Sequence, residues 1–151
     1  PPLAPPSVLV AGPRCNLHSM PRDVITAPGG RVVKTIGDAV LYVADDVATG
    51  ARVALGLAAA GGREEDVDVP PVRVSLVWGR VLSRFGDVFG PSVNLAARLV
   101  DIADPTTVLV DRETAGLLAG DQRFALTAQP ETEVQGLGTI EPVRLQWAYR
   151  G

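Results

Sequence analysis

Two runs rich in β-branched and apolar residues, 31–36 and 39–44, are separated only by the pair Gly37-Asp38. Glycine adopts at no steric cost the positive φ that a tight turn needs, so a Gly-X pair between two such runs is typical of a β-hairpin. The sequence therefore predicts a hairpin here, and this is the first sustained pattern in the chain.

Segments with helical and strand periodicity alternate after this hairpin. The predicted elements are, in chain order, a helix from residue 47 to a stop at Gly61-Gly62, a strand at 72–78, a short hairpin within 79–90, a helix at 92–103, a strand at 107–110, a helix ending near 118 and a strand at 143–149. Alternation of this kind favours an α/β fold, an α+β sandwich whose helices pack on one face of a mixed sheet.

Particular residues mark the starts of the three predicted helices. Asp45 or Asp46 can cap the first helix, Pro91 suits the first turn of the second, and Asp111 can cap the third. In the second helix the apolar spacing predicts a buried stripe made of Val93, Ala96, Ala97 and Val100.

Composition excludes several classes of function. The chain has 151 residues, of which 46% are hydrophobic and 21% charged, as is typical of one soluble globular domain. Its 14 basic residues are scattered and its net charge is −3, so nucleic acid is an unfavourable partner. The longest apolar run, 53–60, falls well short of the roughly 20 residues that a membrane span needs. Cys15 is the only cysteine, which excludes an intrachain disulfide and favours a reducing, cytoplasmic setting.

The N-terminal part differs from the rest of the chain. Residues 1–22 are rich in proline and only 7–10 have the pattern of a short strand, so this segment is predicted to be mostly irregular. The start at Pro1 has neither an initiator Met nor a signal-peptide pattern, which favours a fragment. The folded domain is predicted to comprise residues 23–151.

Polar residues that could bind a ligand or take part in catalysis cluster in two segments. Lys34 lies in a predicted strand four residues before Asp38, and Asp87 precedes a helix that carries Asn94 and Arg98. Asn94 and Arg98 are four residues apart, so their side chains project from the same side of the helix. The guanidinium fork of arginine suits phosphate oxygens, and asparagine can orient a hydroxyl, as nucleotidyl transfer requires.

Each of these residues also has a plain structural interpretation. Asn94 could be merely exposed while Arg98 pairs with Asp101 or Asp104 on the helix surface. Asp38, Lys34 and Asp87, taken singly, could be solvated turn and strand residues. Only their combination favours a functional site.

The two segments together closely resemble the class III nucleotidyl cyclases, in particular the bacterial adenylate cyclases of actinobacterial type. The resemblance rests on Gly29-Gly30-Arg31-Val32-Val33-Lys34-Thr35-Ile36-Gly37-Asp38 and on the stretch from Val77-Trp78-Gly79-Arg80 through Asp87 to Arg98. It implies a ferredoxin-like βαββαβ core, in agreement with the predicted element order. It also implies conversion of ATP to cyclic AMP and pyrophosphate.

The resemblance implies a role for each site residue. Lys34 and Asp87 would read adenine, the ammonium donating to a ring nitrogen and the carboxylate accepting from the exocyclic amine. Asn94 would orient the ribose, and Arg98 would stabilise charge on the α-phosphate. Asp38 would be one of two aspartates that hold two Mg²⁺ or Mn²⁺ ions, and each site would lie between the two subunits of a homodimer.

One feature of the family pattern has no match in this chain. The family's first strand carries a Phe-x-Asp motif that supplies the other metal aspartate, whereas Val8-Leu9-Val10-Ala11-Gly12 has glycine where the carboxylate is wanted. The sequence thus predicts a cyclase domain lacking its first strand and helix, with weakened metal binding. A catalytically silent cyclase-like domain that binds nucleotide or a partner is the alternative, while Lys34 and Asp87 disfavour a guanylate cyclase.

Overall fold

The computed structural model describes residues 7–12, 31–36, 39–44, 46–60, 73–79, 82–84, 87–89, 91–104, 107–134, 136 and 138–148. Over these residues the chain forms a mixed sheet with helices on both faces. The strands are β1 (Ser7–Gly12), β2 (Arg31–Ile36), β3 (Ala39–Val43), β4 (Val74–Gly79), β5 (Leu82–Arg84), β6 (Asp87–Phe89), β7 (Val108–Val110), β8 (Phe124–Ala128), β9 (Thr132–Val134), β10 (Gly138–Ile140) and β11 (Val143–Trp147). The helices are α1 (Val47–Ala60), α2 (Pro91–Ile102) and α3 (Arg112–Leu118).

Seven of these strands form the main sheet in the order β2-β3-β1-β4-β7-β11-β8. Strands β4 and β7 run parallel and the other neighbours are antiparallel. The remaining strands form two separate antiparallel ribbons, β5–β6 and β9–β10. The mixed α/β architecture predicted from the sequence is therefore confirmed.

Strand β1 bears on the prediction that the family's first strand is missing. Its six residues lie between β3 and β4, with Leu9 opposite Val77 and Gly12 opposite Val40. The strand is two residues longer than the 7–10 segment predicted, and it fills a central position of the sheet. A first helix would fall within residues 13–30, which lie outside the described residues, and the domain boundary at residue 23 stays a prediction.

The helices divide between the two faces of the sheet, so the prediction that they share one face is wrong. Helices α1 and α3 pack with Tyr42, Leu76 and Leu145 in one core cluster. Helix α2 packs with Val77 and Leu109 in a second cluster on the opposite face. The physical reason lies in β4, whose residues 74–77 are all buried because both of its faces are covered.

The helix starts agree in part with the predicted caps. Asp46 is the cap of α1: its Oδ1 accepts from the Thr49 backbone N–H at 2.8 Å, and its Oδ2 accepts from the Thr49 hydroxyl at 2.9 Å. Pro91 is the first residue of α2, where its lack of an N–H costs nothing. Asp111 stands at the cap position of α3 without a side-chain capping bond, and its carboxylate instead accepts from the Thr114 hydroxyl.

Two details of the predicted pattern are wrong. In α2 the buried residues are Ala96, Leu99 and Val100, whereas Ala97 is exposed. The helix is rotated by part of a turn from the prediction, because Leu99 buries more apolar surface than Ala97 would. Strands β8, β9 and β10 were not predicted, since each is short and exposes much of its surface.

Tyr42, in the core beneath α1, makes the stability of the fold depend on pH in a testable way. Its ring is fully buried and its hydroxyl donates to the Gly50 carbonyl at 2.9 Å. Burial raises the pKa of Tyr42 well above its ordinary value of 10.0. The unfolded chain therefore releases this proton first, so the stabilisation is intact below about pH 10 and is lost as the pH rises further.

Tyr42→Phe is accordingly expected to lower the free energy of unfolding at neutral pH by about 1 kcal/mol and to flatten its fall above pH 10. Urea unfolding of the two proteins at pH 7 and pH 11 measures both effects. An unchanged alkaline slope in the variant would show that the tyrosine is not the titrating group.

Candidate active site on helix α2

Helix α2 presents Asn94 and Arg98 to solvent. Both side chains are exposed, whereas Ala96 between them is completely buried. At about 100° per residue, positions 94 and 98 both lie about 200° around the helix from Ala96, and so they share the outward face. The predicted pairing of these two residues on one side of a helix is present in the structure.

Arg98 is not engaged by the acidic residues at the end of its helix and just beyond it. It forms no ion pair or hydrogen bond with Asp101 or Asp104, although all three side chains are described and exposed. The structural alternative, an arginine held by these two aspartates, is therefore not observed. A guanidinium at this position can present its planar set of donors to a ligand.

The backbone brings the strands of Lys34 and Asp87 to the same region. Lys34 pairs with Leu41 just after an irregularity in the β2–β3 register, and Asp87 pairs with Arg84 in the β5–β6 ribbon. Strand β6 contacts both β2 and α2. The elements that carry four of the five predicted site residues thus meet around β6.

Asp38 lies outside the described residues, so its role in binding a metal stays a prediction. The end of β1 nearest the β2–β3 turn is Gly12, which pairs with Val40 and offers no carboxylate. In the described part of the chain no group of three or more His, Cys, Asp or Glu residues could hold a metal ion. The described residues by themselves do not make up a two-metal centre.

A cleft of about 480 Å³ lies on the other side of α2 and was not predicted. Leu95, Leu99 and Ile140 line it together with acidic and basic groups that include Asp111, Glu113, Glu131, Glu141 and Arg112. Burial raises the pKa of Asp111, and the hydrogen bonds that its carboxylate accepts from Thr114 and from the backbone partly offset this rise. Four carboxyl groups against one guanidinium disfavour a triphosphate here. No sequence signal links residues so far apart along the chain.

The class of protein is a nucleotidyl cyclase catalytic domain, as the family match shows. Residues 15–146 match the family model described as the adenylate and guanylate cyclase catalytic domain, and the chain belongs to this family. The resemblance to class III cyclases seen in the sequence is thereby confirmed.

The similar proteins within the family include actinobacterial ones named adenylate cyclase. One from Glutamicibacter nicotianae is 51% identical over 123 residues, which cover 82% of this chain and 30% of that protein. One from Streptomyces coelicolor is 40% identical over 146 residues, covering 80% of this chain and 38% of that protein. The chain spans about a third of the length of these relatives.

Solved structures share the fold. An adenylate/guanylate cyclase/hydrolase from Silicibacter pomeroyi superposes with a TM-score of 0.78 at 21% identity, covering 97% of this chain and 98% of that one. The adenylyl cyclase CyaB from P. aeruginosa gives a TM-score of 0.74 at 13% identity, covering 99% and 98%. Among the described residues, no helix has the length and apolarity to span a bilayer.

Proposed function

We propose that this domain converts ATP to 3′,5′-cyclic AMP and pyrophosphate. The observation that carries the proposal is the meeting of β2, β6 and α2, which gathers the elements of Lys34, Asp87, Asn94 and Arg98. The identity of 51% to a protein named adenylate cyclase supports the same activity.

The proposed reaction is an intramolecular displacement at phosphorus. The ribose 3′-hydroxyl releases its proton to solvent and its oxygen forms a bond to the α-phosphorus, while the bond from that phosphorus to the bridging oxygen of the β-phosphate breaks. Pyrophosphate leaves with the bonding electron pair. Catalysis of this kind depends mainly on positioning and on stabilising the negative charge that develops at the phosphate.

Four residues have roles in this proposal. Asn94 orients the ribose, and Arg98 donates from its planar fork to the oxygens of the α-phosphate. Lys34 donates to a ring nitrogen of adenine, and Asp87 accepts from the exocyclic amine. Their chemistry matches adenine, which carries a ring acceptor beside an amino donor.

The proposed active unit is a homodimer with each site at the subunit interface. Asp38 of one protomer would face the nucleotide held by Lys34, Asp87, Asn94 and Arg98 of the other. The need for Mg²⁺ or Mn²⁺ belongs to the proposal only as an assay condition, because β1 supplies no second carboxylate.

A second candidate is a silent cyclase-like domain that binds nucleotide or a partner without turnover. The sequence Ser-Val-Leu-Val-Ala-Gly of β1 favours it, since this central strand carries no metal-binding side chain. Weak metal binding would leave the triphosphate charge poorly neutralised and the reaction slow.

One experiment separates the two candidates. The purified chain is incubated with ATP or GTP and either Mg²⁺ or Mn²⁺, and cyclic product and bound nucleotide are both measured. Cyclic AMP that disappears in Asp38→Ala and Arg98→Ala supports the cyclase. Stoichiometric ATP binding without product supports the silent domain, and cyclic GMP as the main product would contradict the proposed adenine specificity.

A further inference from the structure

One face of strand β4 forms the support for helix α2. Side chains alternate along a strand, so Ser75, Val77 and Gly79 face the same side of the sheet. Val77 belongs to the core cluster that contains Ala96 and Leu99 of α2, which identifies this side as the one that α2 covers. The serine and the glycine occupy the two ends of this three-residue row.

Ser75 joins β4 to the middle of α2. It is completely buried, and its hydroxyl donates to the Ala96 carbonyl at 2.6 Å. A serine among valine and leucine neighbours in a sheet core is unfavourable unless its hydroxyl is hydrogen-bonded. This bond therefore fixes both the serine and the turn of α2 on which Ala96 lies.

Gly79 sets how closely the first turn of α2 approaches the sheet. A Cβ at position 79 would lie 2.0 Å from the Ser92 Oγ and 3.1 Å from its Cβ. A side chain at this position would force the Ser92 hydroxyl to move and would crowd the first turn of α2. The hydrogen bond at Ser75 and the close approach at Gly79 thus constrain the helix at two points one turn apart, Ala96 and Ser92.

We propose that Ser75 and Gly79 are positioning residues that set the placement of α2 and thereby aim Asn94 and Arg98 at the nucleotide. Asn94 lies between the two constrained points and Arg98 lies two residues beyond Ala96, both on the outward face of the helix. A shift or rotation of α2 moves both side chains together. This inference rests on the proposed cyclase activity, in which these two side chains contact the substrate.

Ser75→Ala and Gly79→Ala are each expected to lower kcat by about tenfold while changing the KM for ATP by less than about twofold, because small misplacements of reacting groups act mainly on turnover. Ser75→Thr keeps the hydroxyl and is expected to restore most of the kcat lost in Ser75→Ala. Ser92→Gly removes the atoms that a Cβ at 79 would meet, so Gly79→Ala combined with Ser92→Gly is expected to recover turnover.

Thr114→Ala is the matched control. Thr114 is also completely buried and accepts a hydrogen bond from the backbone N–H of Trp78 in β4 at 2.8 Å, but it does so from α3, on the face of the sheet opposite to α2. Its loss is expected to lower stability about as much as Ser75→Ala without reducing kcat. Unfolding in urea places all variants on one stability scale, so that turnover can be compared at equal folded fraction.

A readout independent of activity separates this inference from the proposed function. In nucleotide-free protein, the NMR signals of the Asn94 side-chain amide and the Arg98 Nε–H are expected to shift in Ser75→Ala and Gly79→Ala but not in Thr114→Ala. If wild type makes no cyclic nucleotide, the proposed function fails while these signals still decide the positioning. Unshifted signals, or full kcat in both β4 variants of an active protein, would overturn the inference.

Discussion

Replacing Arg98 by alanine is expected to lower kcat for cyclic AMP formation by about two to three orders of magnitude, since a charged donor aimed at the developing negative charge acts chiefly in the transition state. Arg98 is exposed and has no ion pair with Asp101 or Asp104, so its loss removes no ion pair with a described residue. The free energy of unfolding should change by no more than about 0.5 kcal/mol. Steady-state kinetics with ATP and urea unfolding measure the two effects on the same preparation.

Two further variants, Arg98→Lys and Asn94→Ala, test the geometry of the guanidinium and the role of the asparagine. Lysine keeps the charge but not the planar fork, so its kcat is expected to fall between those of wild type and Arg98→Ala. Asn94→Ala is expected to lower kcat by about two orders of magnitude through loss of ribose orientation.

Arg112→Ala is the matched control for Arg98→Ala. Arg112 is an exposed arginine on α3 whose ion pair with Glu141 measures 3.1 Å. Exposed pairs of this kind contribute about 0–1 kcal/mol, so stability and turnover should both stay near wild type. Equal losses in Arg98→Ala and Arg112→Ala would show that general surface charge, rather than a contact with substrate, governs the rate.

The order of secondary structure was largely predictable because its signals are local. The Gly37-Asp38 pair, the Gly61-Gly62 pair and Pro91 each predicted an element boundary, because of the backbone conformations that glycine and proline favour. Strands β8 to β10 were missed because three to five residues give too few alternations to distinguish a strand from a loop.

The placement of elements in the sheet was less predictable because it depends on contacts distant in sequence. Strand β1 inserts between β3 and β4, and nothing local to residues 7–12 specifies that position. The location of α2 was not readable from the sequence, because Ser75 gives residues 74–77 an alternating pattern although all four are buried in the structure. Interpreting that run as alternating led to the wrong prediction of one helical layer.

In the candidate site, too, local features were predictable from the sequence and tertiary contacts were not. The i, i+4 spacing of Asn94 and Arg98 predicted a shared helix face, and the structure has it. The contact of β6 with α2 follows from the single residue between them, but the contact of β6 with β2 is tertiary information, which residue spacing alone could not supply. The support from Ser75 and Gly79 was also hidden, because a serine and a glycine in a strand have no distinctive pattern until their partners on α2 are known.

Exchanging the hydrogen-bonding character of Lys34 and Asp87 is expected to change the preferred base. Adenine offers a ring acceptor beside an amino donor, whereas guanine offers a carbonyl acceptor beside a ring N–H donor. Lys34→Glu with Asp87→Asn would supply an acceptor and a donor in the reversed order. The ratio of kcat/KM for ATP to that for GTP should fall by about a thousandfold or more, because a site built around specific hydrogen bonds strongly rejects a base that leaves them unpaired.

The single variants show whether both residues read one base. Each single variant leaves one side chain that matches adenine and one that does not. Its kcat/KM for ATP should therefore fall by about a hundredfold without a comparable gain for GTP. Glu133→Gln, a carboxylate change in the other ribbon, controls for the charge removed in Asp87→Asn. If Lys34 and Asp87 contact the same base, their effects on the ATP to GTP ratio are coupled, and the double variant departs from the product of the single ones. Purely multiplicative effects would mean that the two side chains do not meet on a single nucleotide, and the contact between β2 and β6 would then have to be explained by folding alone.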